Sequence, residues 1–516
     1  MWQPTRKEIL ALAVVGIVLL TSLFVRLDGM DTTFPVDDEI IVMVAATKLN
    51  TPHPGYDPRE YNYEHPPLGK LLLGWALDKT KKYPNTAGIQ INLYAYSYLA
   101  SPELRDQLFS FRAWTAIIGI LFLVALFFLG KELFDTRTGI LAVLFAGISI
   151  GFINVSRIVF QDVFLPLFIT LALLFAIRYA KGDLKHTWNG IPTPYFDLLL
   201  ALFFMGASLL TRIGQPPFVL AGIILGLWGV KKKWLPFVIG TALMGAVILY
   251  IYPLQLILTL ASQTYAGTFL QRVNLSIVTD TLNMTSYSFV GGIILTLAGG
   301  AWYHRKKIPD AKKHIHALQP IHRITLAVMG ITILAAVFTQ LGLLSRYYIV
   351  FLILPLIYFS HALRKYVPRQ GKVFLVVLLL LDCILLVGAS PNLREYTLVP
   401  GASPYIQDKG DEFHAFTSLL AQQGVSEYFS NDARIILMDP RARPVPPYHQ
   451  KFILEAMCNQ KFFTEQKGKL LIYNPSYQPI GKNTFLCPLL TNQTLERVEG
   501  IHDPFGFEWY RIMGKN

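Results

Sequence analysis

Charge is what this 516-residue chain has least of. Asp, Glu, Lys and Arg make up 15% of it, against about 25% in an ordinary soluble domain. Hydrophobic residues make up 53%, and mean hydropathy is +0.43. A soluble globular fold is therefore excluded for most of the length. Three cysteines are too few for a disulfide scaffold: Cys383 lies in an apolar run, while Cys458 and Cys487 fall in a polar tail where an oxidising compartment would let them pair. There is no Gly-rich phosphate cradle, no Cys-x-x-Cys and no His-Glu-x-x-His, which argues against a nucleotide-driven pump. The lack of an Asp-x-Asp string argues against a metal-bound nucleotide donor. Internal repeats and low-complexity stretches are also missing.

What the chain has instead is apolar runs. Candidate spans cover 9–25, 113–130, 139–153, 163–177, 198–210, 217–230, 235–252, 287–302, 324–341, 347–362 and 373–388. That is about eleven helices near the length a hydrocarbon core requires. The first run continues into Arg26-Leu-Asp28 without a small-residue cleavage site, so it reads as a retained anchor. The fold class expected is an α-helical integral membrane protein followed by a small soluble α/β domain. Residues 1–388 form the membrane body and 389–516 the soluble part. In that part 412–422 reads as an amphipathic helix, and 434–438 and 469–473 read as short buried strands.

Basic residues set the orientation. Arg6 and Lys7, Lys131 and Arg137, Lys181 and Lys185, Lys231 to Lys233, Arg305 to Lys307 and Arg364-Lys365 occupy alternate connections. Cytoplasmic loops collect Lys and Arg, so the connections between them, and the tail, face outward. The formal charge of +13 is mostly this signal, and its dispersal over many loop ends argues against nucleic acid as a partner. The sequons at Asn154, Asn274, Asn283 and Asn492 all fall on the outer side.

Two strings on that side bear chemistry. Asp38-Glu39 follows the first span within Pro35-Val-Asp-Asp-Glu39. One acid there serves as a helix cap or dipole partner; two in a row suit a fixed carboxylate. Tyr63-Glu-His-Pro-Pro-Leu-Gly-Lys70 is the most specific string in the chain. Pro66-Pro67 forces an extended backbone, which brings His65 and Lys70 into one loop. The apolar stretch 68–77, flanked by Lys70 and by Lys79, Lys81 and Lys82, reads as an interfacial helix with lysines reaching headgroups. An outer loop running from Arg26 to Arg112 is too long for a connector without a function.

The Asp-Glu pair followed by His-Pro-Pro-Leu-Gly-Lys resembles the protein O-mannosyltransferase family. More broadly it is similar to the GT-C glycosyltransferases that use polyprenyl- or dolichyl-phosphate sugars, including the aminoarabinose transferases of lipid A. The likeness covers the first half of the membrane body and only loosely the later spans. It implies that Asp38 is the general base with Glu39 beside it. It also implies that Arg112 in Ser-Phe-Arg-Ala-Trp stands near the lipid phosphate, and that Arg157 and Asp162 in Ser-Arg-Ile-Val-Phe-Gln-Asp form the next outer turn. Glu64, Arg157 and Asp162 are expected at the substrate. Lys70, His65, Arg112, Arg272, Arg346 and Tyr347 are expected around the donor phosphate.

Each of these residues also has a plainer role. Arg112, Arg157, Arg212 and Arg346-Tyr347 would serve as interfacial anchors, and Asp162 would pair with Arg157. No His stands in Tyr265-Ala-Gly-Thr-Phe-Leu-Gln-Arg272, where related transferases often have one a few residues ahead of the Arg, so a divalent metal at Glu64 is not favoured and no cofactor is expected. The function implied is inverting transfer of a sugar, such as mannose, from a polyprenyl-phosphate carrier to a protein, lipid or glycan hydroxyl. The site would lie on the extracytoplasmic face of a multi-pass membrane protein. The competing class is a transporter or flippase with Asp162, Arg157 and Arg212 along its pathway. That class predicts an inverted repeat with paired broken helices, and neither is seen in the sequence.

Overall fold

The structure is a computed structural model. It describes residues 6–28, 37–50, 66–78, 80, 106–182, 187–188, 191–228, 230, 233–251, 291–296, 298, 320–338, 349–389, 410–430, 435, 438–444, 465–473, 495–504 and 506–513. In the first half the helices are α1 (Arg6–Leu27), α2 (Asp37–Asn50), α3 (Leu68–Leu73), α4 (Leu108–Leu133), α5 (Thr136–Ile148), α6 (Ile150–Arg157), α7 (Phe164–Lys181) and α8 (Thr193–Thr211). A two-residue ribbon of β1 (Thr187–Trp188) and β2 (Ile191–Pro192) joins α7 to α8. Then come α9 (Pro216–Leu227), α10 (Trp234–Ile251), α11 (Pro320–Phe338), α12 (Ile349–Tyr366) and α13 (Arg369–Ala389).

Ten of the eleven expected spans coincide with these helices, and the eighth contains the helical residues 291–296. Among the described residues three helices are by themselves long and apolar enough to cross a membrane: α4, α7 and α8. The third expected span is not one straight helix. Its two parts, α5 and α6, meet at 62° and pass the same test only together. Ser149 makes the break: it is extended (φ −73°, ψ 123°) and its N–H turns back to the Ala146 carbonyl at 3.3 Å. Gly147, Ser149 and Gly151 crowd this point, and such residues let a helix kink instead of resisting it.

A second difference concerns 68–77. The stretch is not one flat interfacial helix. α3 gives way to a 3₁₀ turn at Gly74–Ala76, and Lys70 is fully buried instead of reaching outward. α3 packs on α2 and α8, and the indole N–H of Trp114 on α4 donates to the Leu72 carbonyl at 3.0 Å. Asn154, read as a sequon, is 2% exposed inside α6, so it offers no acceptor for glycosylation. The other three sequons, Cys458 and Cys487 lie outside the described residues.

Beyond the helices, α14 (Gly410–Gln422) precedes a five-stranded sheet in the order β4-β3-β5-β7-β6. Its strands are β3 (Tyr428–Ser430), β4 (Ala442–Pro444), β5 (Leu470–Tyr473), β6 (Leu495–Arg497) and β7 (Glu508–Ile512). β3 lies parallel to both β4 and β5, while β7 runs antiparallel to β5 and β6. Phe413, Phe416 and Leu420 of α14 are buried, and the Phe416 ring meets Tyr428, Phe507 and Trp509 edge-on. The expected strand at 469–473 is β5, but the one at 434–438 is not a strand. Ile435 and Met438 are helical, and the Asp439 N–H donates to the Ile435 carbonyl at 2.8 Å. Parallel neighbours need a crossover connection, and this apolar run supplies it between β3 and β4.

Close helix packing depends on missing side chains. A Cβ on Gly222 or Gly226 of α9 would stand 2.5 or 2.2 Å from the Cα of Val328 or Ile324 on α11. Glycines four apart let two backbones touch, which is how apolar helices associate where burial gives no driving force between them. Replacing Gly226 with Val should therefore separate α9 from α11. The expected loss is about 1–3 kcal/mol, typical of overpacking, read as a lower melting temperature of the detergent-solubilised protein. A Gly226→Val protein melting with the wild type would contradict this packing.

Candidate active site

One end of the bundle gathers buried charge. α1 and α6 finish there, α4 and α7 start there, and α8 returns to finish there. The 3₁₀ turn Gln161–Val163 links α6 to α7 at the same level. Its central feature is Glu39, in the first turn of α2, and Arg112, in the second turn of α4. Arg112 Nε donates to Glu39 Oε1 at 2.9 Å and Nη2 donates to Oε2 at 2.8 Å, with both side chains wholly buried. The planar fork of a guanidinium matches a carboxylate in this two-point geometry. Glu39 Oε1 also accepts the backbone N–H of Val159 at 2.9 Å. One acid thus ties together α2, α4 and the strand-like segment after α6.

That segment is held at successive residues. The Thr115 hydroxyl lies 2.8 Å from the Arg112 carbonyl and 3.1 Å from the Ser156 carbonyl, and donates to them. Arg157 Nη1 donates to the Val25 carbonyl of α1 at 2.5 Å. Asp162, in the 3₁₀ turn, forms an ion pair with Arg212 just past α8. This corrects the expected pairing of Asp162 with Arg157: five residues back along the chain, Arg157 turns to α1, and the acid is met by a residue fifty positions on. α6 itself adjoins the 3₁₀ turn, so the pairing is set by where the two side chains turn and not by which helix end is nearer.

Arg26, near the end of α1, is fully buried. Its Nε donates to the Ser156 hydroxyl at 2.7 Å, and its Nη1 donates to the carbonyl of Ser22 at 3.1 Å and to the Ser22 hydroxyl. The Ser22 hydroxyl in turn donates to the Gly147 carbonyl at 3.0 Å. Gly119 of α4 makes room, since a Cβ there would stand 2.6 Å from that of Ser156 and 3.2 Å from Arg26 Nε. Lys70 is buried on α3, which lies against α2, α8 and the Gln161–Val163 turn. Lys48, on the last turn of α2, is buried as well.

The expected residues therefore divide. Glu39, Lys70, Arg112, Arg157 and Asp162 are brought to this one end on touching elements. Asp38 is the second residue of α2, next to Glu39. Glu64, His65, Arg272, Arg346 and Tyr347 lie outside the described residues. Sequence reasoning missed Arg26, Lys48, Ser22 and Ser156. Arg26 ends an apolar run, so it reads as a boundary marker, and the serines read as ordinary helix residues.

The opposite end has a different character. Lys181 pairs with Glu132 at 2.9 Å, Arg364 pairs with Asp135, and Lys233 Nζ donates to the carbonyls of Tyr179, Ala180 and Gly182 at 2.9, 3.0 and 2.6 Å. These basic residues sit among the loop cations that the sequence groups on one side of the membrane.

Residues 99–257 match the family model described as dolichyl-phosphate-mannose-protein mannosyltransferase. Among solved structures, ArnT from Cupriavidus metallidurans bound to undecaprenyl phosphate aligns with a TM-score of 0.53 at 12% identity, covering 97% of this chain and 97% of that one. Its apo form aligns at 0.51 with the same identity and coverage. The apo oligosaccharyltransferase of Archaeoglobus fulgidus aligns at 0.50 and 14% identity, over 90% of this chain and 69% of that one. No curated protein matches the chain. At these identities the property shared with these structures is the fold.

Glu39 gives the most direct test of the site's construction. Glu39→Gln removes the charge that receives both arms of the Arg112 fork, and breaking one side of a buried pair costs about 3–5 kcal/mol. The variant should melt well below the wild type in detergent, and far more so than a Glu→Gln change at exposed Glu496. Equal melting of the two variants would show that the pair holds nothing together.

Proposed function

We propose that this protein is an integral-membrane glycosyltransferase that moves a sugar from a polyprenyl-phosphate carrier to a hydroxyl acceptor. The observation that carries this reading is the charge buried at one end of the bundle. Among the described residues Arg26, Lys48, Lys70, Arg112, Arg157 and Arg212 are buried there, with Glu39 and Asp162 as the buried acids. Each buried ion is expensive, and intramembrane ionisable groups mark substrate pathways. A phosphate that gains charge as the glycosyl bond breaks is a group that guanidinium and ammonium donors stabilise. The solved ArnT with this fold is bound to undecaprenyl phosphate, and the matching family model is named for mannosyl transfer from a dolichyl phosphate. Both support a lipid-linked donor, with a hexose such as mannose as the sugar.

The chemistry follows from the residue types. Asp38, at the start of α2, takes the proton of the acceptor hydroxyl, with Glu39 locked beside it by Arg112 and Val159. The oxygen attacks the anomeric carbon on the face opposite the phosphate, and the glycosyl–phosphate bond breaks with inversion. The phosphate leaves with both electrons of that bond and is stabilised by cations and donors from Lys70, Arg112, His65, Arg272, Arg346 and Tyr347. Glu64, Arg157 and Asp162 orient the sugar and acceptor. No metal is required for these steps. Because the loops at the other end bear the Lys and Arg that favour the cytoplasm, the reaction faces outward, and the acceptor is a protein Ser or Thr, a lipid or a glycan presented there.

The test is transfer itself. Membranes containing the protein are incubated with a labelled polyprenyl-phosphate mannose, and label is followed into protein, lipid and glycan fractions. Asp38→Asn should lower transfer by about 10²–10⁴, the usual contribution of a general base, without lowering the melting temperature. Wild-type turnover in Asp38→Asn would remove the proposed base, and label entering no hydroxyl acceptor with the wild type would refute the transferase reading.

A further inference from the structure

The segment 157–162 presents the Val159 N–H to Glu39 and Asp162 to Arg212, so its placement decides whether both buried pairs can form. Two arginines staple it to α1 in opposite directions. Arg26 reaches from α1 to the Ser156 hydroxyl of α6, and Arg157 reaches from the end of α6 back to the Val25 carbonyl, one residue before Arg26. The Ser156 hydroxyl accepts from Arg26 and lies 2.8 and 2.9 Å from the Phe152 and Ile153 carbonyls, to which it donates. The contact therefore anchors the last turn of α6, and not only a side chain.

Arg26 is an unusual choice for a mere fastener. It is fully buried, its Nη2 has no hydrogen-bond partner among the described residues, and no carboxylate pairs with it there. Its like-charged neighbour Arg157 opposes it. A neutral donor would make the bond to Ser156 more cheaply, whereas only a guanidinium spans Ser22 and Ser156 at once.

We propose that Arg26 is a positioning residue for the transfer reaction: the reciprocal Arg26–Ser156 and Arg157–Val25 clamp fixes the register of 157–162 and thereby of Glu39 beside Asp38. The inference rests on the transferase reading above. Displacing a reactive geometry by about 1 Å can cost about 10²-fold in rate, so a loosened clamp should appear in kcat more than in donor binding.

The experiment uses the full chain in lipid nanodiscs, with a short-chain polyprenyl-phosphate mannose as donor. Arg26→Gln should lower kcat at least tenfold and change the donor KM less than threefold. Arg26→Lys, which keeps the charge but gathers its donors on a single nitrogen, should recover part of that loss. Ser156→Ala removes the acceptor of Arg26 together with the hydroxyl's bonds within its own helix and should lower kcat several-fold, and the double variant should be no worse than about twofold below Arg26→Gln alone. If Arg26→Gln fails to fold, Ser156→Ala and Arg26→Lys carry the test. Wild-type kcat in the folded variants, losses that multiply independently, or a loss confined to thermal stability would overturn the clamp. A wild-type protein that transfers nothing would instead overturn the transferase reading on which it rests.

Discussion

The Glu39–Arg112 pair sits where three parts of the chain meet. α2 brings the acid, α4 brings the fork, and the segment after α6 adds the Val159 N–H to the same carboxylate oxygen. In water such a pair would be worth little. Enclosed as it is, neither partner can be left without the other. The consequence for chemistry is indirect but strong: whatever Asp38 does, its neighbour along the helix cannot move.

Around that pair the bundle alternates direction so that chain ends far apart in sequence share one level. Helix direction accounts for this: odd crossings end, and even crossings begin, on the same side. The charged residues of the other level have a different task. Lys233 closes the carbonyl end of α7, a place where a cation also meets the negative end of the helix dipole, and Asp135 caps α5 through the Thr138 N–H at 3.0 Å while pairing with Arg364. One level holds helix ends in place with exposed and half-buried pairs, and the other gathers buried charge.

Much of this was legible beforehand. Span-length hydrophobicity is a local property, so ten apolar runs coincide with helices. The strings that carry the resemblance include Glu39 and Lys70, which the structure buries on the adjoining helices α2 and α3. Partner identity was less legible. Asp162 forms its ion pair with Arg212, fifty residues on, while Arg157 donates to the Val25 carbonyl, and side-chain direction of that kind is set by packing over the whole bundle. The run at 434–438 could be strand or helix by composition, and only the parallel pairing of β3 with β4 decides for the connection. Lys70 read as a headgroup ligand because its flanks are basic, yet α2 and α8 cover it. Arg26 looked like punctuation at the end of an apolar run, since sequence does not show that α6 returns to its side.

The bend at Ser149 has a geometric outcome of its own. Eight residues of α6 would advance about 12 Å if they continued α5 in a straight line; turned by 62°, they advance about half of that. The segment bearing Val159 and Asp162 is thereby countersunk by roughly 6 Å, more than one helical turn. The 3₁₀ turn that follows starts from this shortened height, and it is there that Asp162 meets Arg212.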